Sequence, residues 1–340
     1  MPTLPSQLRP VGIIGTGSYV PPRVLTNFDL EKMVDTTDEW IRTRTGIRER
    51  RIAESDVATS DLALASARAA LDRARISPAD LDLILIATVT PDTFFPCTAS
   101  LLQRALEATG AAAFDILVGC TGFVCGLAVA REMIATSAYQ HALVIGAETL
   151  SKITDWQDRS TCVLFGDAAG AALLGPVPQE HGILAYSLGN DGSKADALKI
   201  PAGGSRLPAS ADTVAERLHY LTMNGPEVFK FAVRALADSS EEVVRRAGLT
   251  MDDIEVVIPH QANLRIIDAA AKRLNIPYDR FVCNLDRYGN TSAATIPLAL
   301  DEAARQGRIQ PGDHVLLSSF GAGLSWATMV LRWSPQAPTP

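Results

Sequence analysis

The chain has 340 residues, 47% of them hydrophobic and 20% charged, and a net charge of −7. That length allows one large domain or two fused ones with ample core, and the composition excludes a disordered chain. The negative balance argues against nucleic acid as the main partner, and an acidic partner would need a local basic patch. The five cysteines, Cys97, Cys120, Cys125, Cys162 and Cys283, show neither C-x-x-C pairing nor zinc spacing. Free thiols in a reducing compartment and no metal site are expected.

In chain order, the first ten residues lack an apolar stretch, so no secretory signal is expected. No apolar run approaches the ~20 residues of a membrane span, and a cytoplasmic location is expected. Both ends, up to about Pro10 and from about Ser334, are Pro-rich and read as loose. Gly15-Thr-Gly17-Ser-Tyr-Val looks like the start of a dinucleotide fingerprint. It lacks the third glycine, and Pro21-Pro22 denies it the helix that must follow.

Ser60 to Arg75 reads as an amphipathic helix, followed by Ser77-Pro-Ala-Asp-Leu-Asp and an apolar run. Asp115 to Val118 reads as a buried strand that ends in Gly119-Cys120-Thr-Gly. An almost uncharged helix follows, Phe123 to Ile134. Cys120 then sits at a helix N-terminus, where orphan N–H groups and the helix dipole are expected to lower its pKa. His141-Ala-Leu-Val-Ile-Gly leads to a second Gly-rich turn, Phe165-Gly-Asp-Ala-Ala-Gly.

The same series then recurs. A helix from Val228 to Ala247 precedes Thr250-Met-Asp-Asp-Ile-Glu and an apolar run that ends at His260. Phe281-Val-Cys-Asn, then Gly289-Asn290-Thr291 and a helix to Arg305, match the strand, turn and helix around Cys120. His314-Val-Leu-Leu and Phe320-Gly-Ala-Gly323 match the remaining pair. The chain therefore reads as two copies of one α/β unit, residues 11–176 and 177–334, meeting near Gly175 to Gly182. The apolar runs lack period-2 alternation, so both sheets should be buried on both faces. The helices after Cys120 and Asn290 carry few charges and should lie between the sheets. Pro297 fits only if the regular helix starts near Thr295. Pseudo-twofold symmetry brings the two helix starts together, and His260 stands at a strand's carboxyl end, where ligands bind in α/β sheets. Cys120, His260 and Asn290 are thus expected to cluster.

The residues that carry a family resemblance are Asp38-Glu-Trp40-Ile-Arg-Thr-Arg44, Gly119-Cys120-Thr-Gly, Trp156-Gln-Asp-Arg159, Asn224-Gly-Pro-Glu-Val-Phe229-Lys230, Pro259-His260-Gln-Ala-Asn263-Leu-Arg265, Tyr288-Gly-Asn290-Thr-Ser and Phe320-Gly-Ala-Gly323. With these motifs the chain, from about Val11 to Trp333, resembles the β-ketoacyl-acyl carrier protein synthase III family. Two departures, Ala168 in the second Gly-rich turn and Pro226, lie away from the expected cluster.

The resemblance implies a thiolase-like duplicated fold, layered α-β-α-β-α with two mixed sheets. It implies a homodimer and a decarboxylative Claisen condensation of an acyl-CoA with malonyl-acyl carrier protein, without a cofactor. Cys120 would carry the acyl group, with backbone N–H groups of Cys120 and Gly323 as the oxyanion hole. His260 and Asn290 would stabilise the enolate left by CO2 loss. Trp40 and Arg159 would clamp the adenine of CoA, with Arg44, Phe229 and Asn263 along its tunnel. Phe95 (across the dimer), Leu150 and Phe165 would bound the acyl pocket.

Beyond Asn263, Ile267, Ala270, Ala271 and Leu274 form a buried helical stripe, leaving Arg265, Lys272 and Arg273 on another face. With Lys230, these are the candidates for carrier-protein docking. Three other readings compete: a thiolase-fold acyltransferase of natural-product assembly with another acceptor, an α/β-hydrolase with a Cys nucleophile, and a degenerate binding protein. The duplicated pattern and Asn290 speak against the hydrolase, and the presence of all three cluster residues speaks against the binding protein.

Overall fold

The structure, a computed structural model, describes residues 8–136 and 139–334. Of the ends read as loose, residues 1–7 and 335–340 lie outside the described residues. Pro10 and Ser334 are fixed: the Pro10 carbonyl accepts from the Val177 N–H at 3.2 Å, and Ser334 is buried.

Nine strands make the two principal sheets. The first holds β1 (Val11–Tyr19), β2 (Leu83–Ala87), β3 (Ala112–Ile116), β4 (Ala142–Glu148) and β5 (Ala168–Pro176), in the spatial order β1-β5-β4-β2-β3. The second holds β6 (Gly182–Asn190), β7 (Val256–Pro259), β8 (His314–Gly321) and β9 (Ser325–Arg332), in the order β6-β9-β8-β7. The order and directions repeat. β2 runs parallel to β4 as β7 runs parallel to β8, while β5 and β9 are antiparallel to their neighbours.

One apolar cluster joins both sheets through the helices Gly122–Thr136 and Thr295–Arg305. Leu85, Val144 and Leu174 enter it from the first sheet, Ile258, Leu317 and Met329 from the second, and Phe123, Leu127, Ile296 and Leu300 from the helices. The outer face of the first sheet packs on helices Thr59–Ala74 and Thr98–Leu106. That of the second packs on Gly225–Arg246 and Leu264–Leu274. The result is five layers, α-β-α-β-α. The last helix begins at Thr295, so Pro297 falls in its first turn, where a missing N–H breaks no intrahelical bond.

Three details differ from the sequence reading. The strand before Cys120 starts three residues and ends two residues earlier than read, and it is not buried. β3 pairs only with β2 and forms the sheet edge. Phe114, Leu117 and Val118 are exposed, and Leu117 retains 68% of its surface. Asp115 explains the strand's end: its carboxylate accepts from the N–H groups of Thr98 and Ala99, both at 2.8 Å, and caps the neighbouring helix.

The counterpart of β3 in the second half is reduced to one bridge, Phe281 to Val257. There the Gln261 carboxamide accepts from the N–H groups of Asn284 and Leu285, at 2.7 and 3.0 Å, and turns the chain away. The Thr295–Arg305 helix also buries two acids. Asp301 accepts from Thr16 Oγ1 at 2.9 Å and Ser18 Oγ at 2.6 Å and pairs with Arg73. Glu302 accepts from Asn284 Nδ2 at 3.0 Å, Tyr288 Oη at 2.7 Å and Arg287. Each is satisfied, as a buried charge requires.

The halves meet backbone to backbone. A Cβ on Gly146 of β4 would run into the carbonyl oxygen of Ala293, in the turn that follows Asn290. Gly146→Ala is therefore expected to cost about 1–3 kcal/mol through overpacking and to displace that turn. A urea midpoint equal to the wild type's would show that the contact is not tight.

Candidate active site

Cys120 lies in a one-turn helix, Gly119–Thr121, that leads directly into the Gly122–Thr136 helix. The turn needs Gly119 at φ +61°, a left-handed value that other residues adopt at a cost. His260 follows the last residue of β7, and its N–H donates to the Ser318 carbonyl at 2.7 Å. Asn290 is held by backbone bonds to the first half. Its N–H donates to the Leu164 carbonyl at 2.8 Å, and its carbonyl accepts from the Gly166 N–H at 3.0 Å. The three side chains face one cavity of about 1200 Å³.

Asn290 Oδ1 accepts from the Ser292 N–H at 2.9 Å, which fixes the carboxamide and leaves its NH2 group for the cavity. The His260 ring packs edge-on against Phe320, centroids 5.1 Å apart, and its Nδ1 is buried without a partner. Burial pushes its pKa down to about 3, so the ring is neutral at physiological pH. Cys120 departs from expectation. Burial pushes its thiol up to about 12, the Ser292 hydroxyl offsets part of the effect, and the Glu148 carboxylate adds repulsion.

Residues 114–192 match the family described as 3-oxoacyl-[acyl-carrier-protein] synthase III, and residues 244–333 match its C-terminal counterpart. The chain is similar to the β-ketoacyl-[acyl-carrier-protein] synthase III of Symbiobacterium thermophilum. The two are 59% identical over 327 residues, 96% of this chain and 99% of the relative. It is also similar to the solved synthase III of Thermus thermophilus, with 50% identity, a TM-score of 0.89, and 95% and 99% of the two chains covered. A priming β-ketosynthase of the R1128 polyketide pathway superposes with a TM-score of 0.91 at 36% identity, covering 99% and 100%. The chain belongs to the synthase III family. It is an acyltransferase of the thiolase-like fold.

Within this synthase III, the oxyanion-hole expectation needs correction. The residues of the last Gly-rich turn that line the cavity are Gly321 and Ala322, not Gly323. A Cβ on Gly321 would stand 2.9 Å from Cys120 Cβ and 3.3 Å from its Sγ, so only glycine lets this turn reach the nucleophile. Gly323 instead packs against Asn190 and Ser325. Ser325 Oγ meets Thr121 Oγ1 at 3.1 Å and locks the two turns together.

The Trp40–Arg159 pair also differs from the expected open sandwich. The Arg159 guanidinium lies on the Trp40 indole itself, 4.9 Å from the ring centroid, and donates to the Asp35 carbonyl at 3.0 Å. The guanidinium thus occupies one face of the indole. Trp40, Arg44, Phe229 and Asn263 line the cavity, whereas Arg159 does not. Asn263 is largely committed to structure: Oδ1 caps the Leu264–Leu274 helix at the Arg265 N–H, 2.9 Å away, and Nδ2 donates to the Arg44 carbonyl at 3.0 Å. One amide hydrogen remains for a ligand.

Leu150 and Phe165 line the inner wall. Phe95 does not line its own chain's cavity and keeps 86% of its surface exposed, while its neighbour Phe94 does line it. Of the docking candidates, Lys230, Arg265 and Lys272 are exposed. Arg273 is paired with Asp238, and Arg265 stands over Phe229, 5.6 Å from its centroid, at the cavity. The stripe of Ile267, Ala270, Ala271 and Leu274 is buried, joined by Ile266.

Sequence reasoning missed Glu148, Ser292, Ala322 and the wall formed by Leu198, Ile200 and Met223 around a two-stranded ribbon. For Glu148 a signal existed, since an acid ending an apolar strand is rarely neutral to function. The ribbon has two-residue strands and no periodicity to read.

Proposed function

We propose that this chain joins an acyl-CoA to malonyl-acyl carrier protein, giving 3-oxoacyl-carrier protein, CoA and CO2, with Cys120, His260 and Asn290 as the reacting group. The observation that carries this reading is their convergence, from both halves, on one deep apolar cavity. Cys120 accepts the acyl group as a thioester. Its own N–H, with the Gly321–Ala322 turn beside it, is placed to receive the oxyanion. The enolate formed on loss of CO2 then meets two neutral donors, His260 Nε2 and the Asn290 amide. A neutral imidazole suits that task, because a donor that gives up its proton would quench the carbanion. Thioester exchange needs no cofactor, and CoA enters as a substrate past Trp40 and Arg44.

Acetyl-CoA alone should add one acyl mass to the peptide that carries Cys120; label on Cys125 or Cys162 instead would sink the assignment. His260→Ala and Asn290→Ala are expected to keep most of this loading and to lose CO2 release by ~10²–10³-fold. Variants that load poorly but decarboxylate normally would reverse the roles.

A homodimer is supported by the unpaired edge of β3 and the exposed Phe114, Leu117 and Val118, since a bare apolar edge invites pairing. In such a dimer Phe95 of one copy reaches the acyl pocket of the other, beside Leu150 and Phe165. Sedimentation should give twice the chain mass, and Phe114→Lys should give monomers; a wild-type monomer at micromolar concentration would refute the dimer.

For the carrier protein, the exposed cations suit an acidic partner: Arg265 lines the cavity, Lys230 follows the cavity residue Phe229, and Lys272 lies further along the helix of Arg265. Arg273 contributes less, being neutralised by Asp238. Charge reversal at Arg265 or Lys272 should raise the KM for malonyl-carrier protein severalfold, more at low salt, and leave acyl-CoA loading nearly unchanged. Equal damage to both half-reactions would argue against docking.

A further inference from the structure

Glu148 ends β4 fully buried, and the reaction above gives it no task. Its Oε2 accepts from Thr88 Oγ1 and the Val89 N–H, each at 3.1 Å, and from Thr90 Oγ1 at 2.8 Å. Its Oε1 is buried without a partner. A carboxyl oxygen in that condition is costly, because buried polar groups are normally satisfied. Beside it stands the turn of Ser292, pressed onto β4 by the contact of Gly146 with Ala293. The Ser292 side chain stands beside both the Glu148 carboxylate and the Cys120 thiol and favours the charged form of each, but in this resting state no hydrogen bond joins it to Glu148 Oε1. Ser292 also lines the cavity with Cys120 and Asn290.

The thiol proton needs an acceptor. The helix start supplies none, and the buried His260 ring is a weak base. We propose that Glu148, acting through Ser292, takes the proton of the Cys120 thiol during acyl transfer and returns it to the departing CoA sulfur. This inference rests on the reading of Cys120 as acyl acceptor. The Cys120 Sγ–H gives its proton to Ser292 Oγ while Ser292 gives its own to Glu148. The bond from Sγ to the acyl carbon forms as the carbonyl electron pair moves to oxygen. The carbonyl then re-forms, the bond from carbon to the CoA sulfur breaks, and that sulfur takes the electron pair and the returning proton. Both sulfurs sit on one carbon in the tetrahedral intermediate, so one hydroxyl serves both. No net charge enters the buried site, which avoids a large desolvation cost.

The groups that face Glu148 are Thr88, the Val89 N–H and Thr90 after β2, Ser292 from its turn, and Cys120 from the helix start. Of these, Cys120 is the titratable one. Burial holds the Glu148 carboxyl up to about 7. As the acceptor it must be ionised, so loading should rise with pH through that value and level off above it.

The test is single-turnover loading of Cys120 from acetyl-CoA across this range, read by mass. Glu148→Gln should lose ~10²-fold at the plateau, together with the inflection. Glu148→Asp should keep the inflection, and Ser292→Ala should lose at least ~10-fold. A melting readout checks the raised carboxyl independently of activity. A carboxyl raised above its unfolded value of 4.5 favours folding below that value, and this support is lost as pH rises through about 7. Glu148→Gln should therefore gain in melting temperature over the wild type at about pH 8 relative to pH 4, and a difference that stays constant across that range would show that the carboxyl is not raised. Wild-type rate and inflection in Glu148→Gln overturn the relay, as they do in Ser292→Ala should the first variant not fold. A wild type that loads with no label on Cys120 overturns the acyl-acceptor reading itself, and the relay with it.

Discussion

Backbone must meet backbone at the junction of the two halves for the nucleophile and its partners to share one cavity. Gly146 lies against Ala293, and Gly321 lies against Cys120. At either place a side chain would hold the halves apart by the width of a methyl group. The consequence is positional. With the turns in contact, Cys120 comes from the first half and His260 and Asn290 from the second. The loop before Asn290 is fixed by Gln261, next to His260, and by Glu302 of the central helix. The site is therefore held by the same contacts that close the central layer, and its geometry does not depend on an exposed loop.

The same closeness sets the electrostatics. A helix N-terminus favours an anion by about 0.3–1 kcal/mol, and by about 2 in favourable cases. Raising a thiol from 9.0 to about 12 corresponds to roughly 4 kcal/mol in the other direction. Desolvation wins, and it acts on three groups together: it suppresses the Cys120 thiolate, keeps His260 neutral and lifts Glu148. Burial of this kind disfavours a thiolate before substrate arrives. It suits chemistry in which charge is created only once substrate supplies the carbonyl that will carry it. At the entrance the scale is smaller. An exposed cation–π pair such as Arg159 on Trp40 is worth about 0.5–1 kcal/mol.

The internal repeat made the fold legible. Matching the run before His260 to the run that follows Ser77-Pro-Ala-Asp, and the turn at Asn290 to the turn at Cys120, was enough to predict two sheets with buried helices between them. It also placed three side chains at one spot and the start of the last helix at Thr295. What stayed hidden has two physical origins. Periodicity reports burial by any neighbour, so β3 read as buried although its second face and edge are bare in a single chain.

The other origin is that some positions act through what they lack. Gly321 and Gly323 are identical letters two residues apart, and only the three-dimensional turn reveals that the missing Cβ of Gly321 makes room for Cys120 while Gly323 faces Asn190. Glu148 is the converse case. Its letter was visible, but its meaning comes from an oxygen without a partner and from a hydroxyl 144 positions further along the chain, in Ser292. A repeat can bring two halves together on paper, because each half carries the same pattern. It cannot show which atoms are left unsatisfied at the seam, because that depends on the small departures by which one half differs from the other.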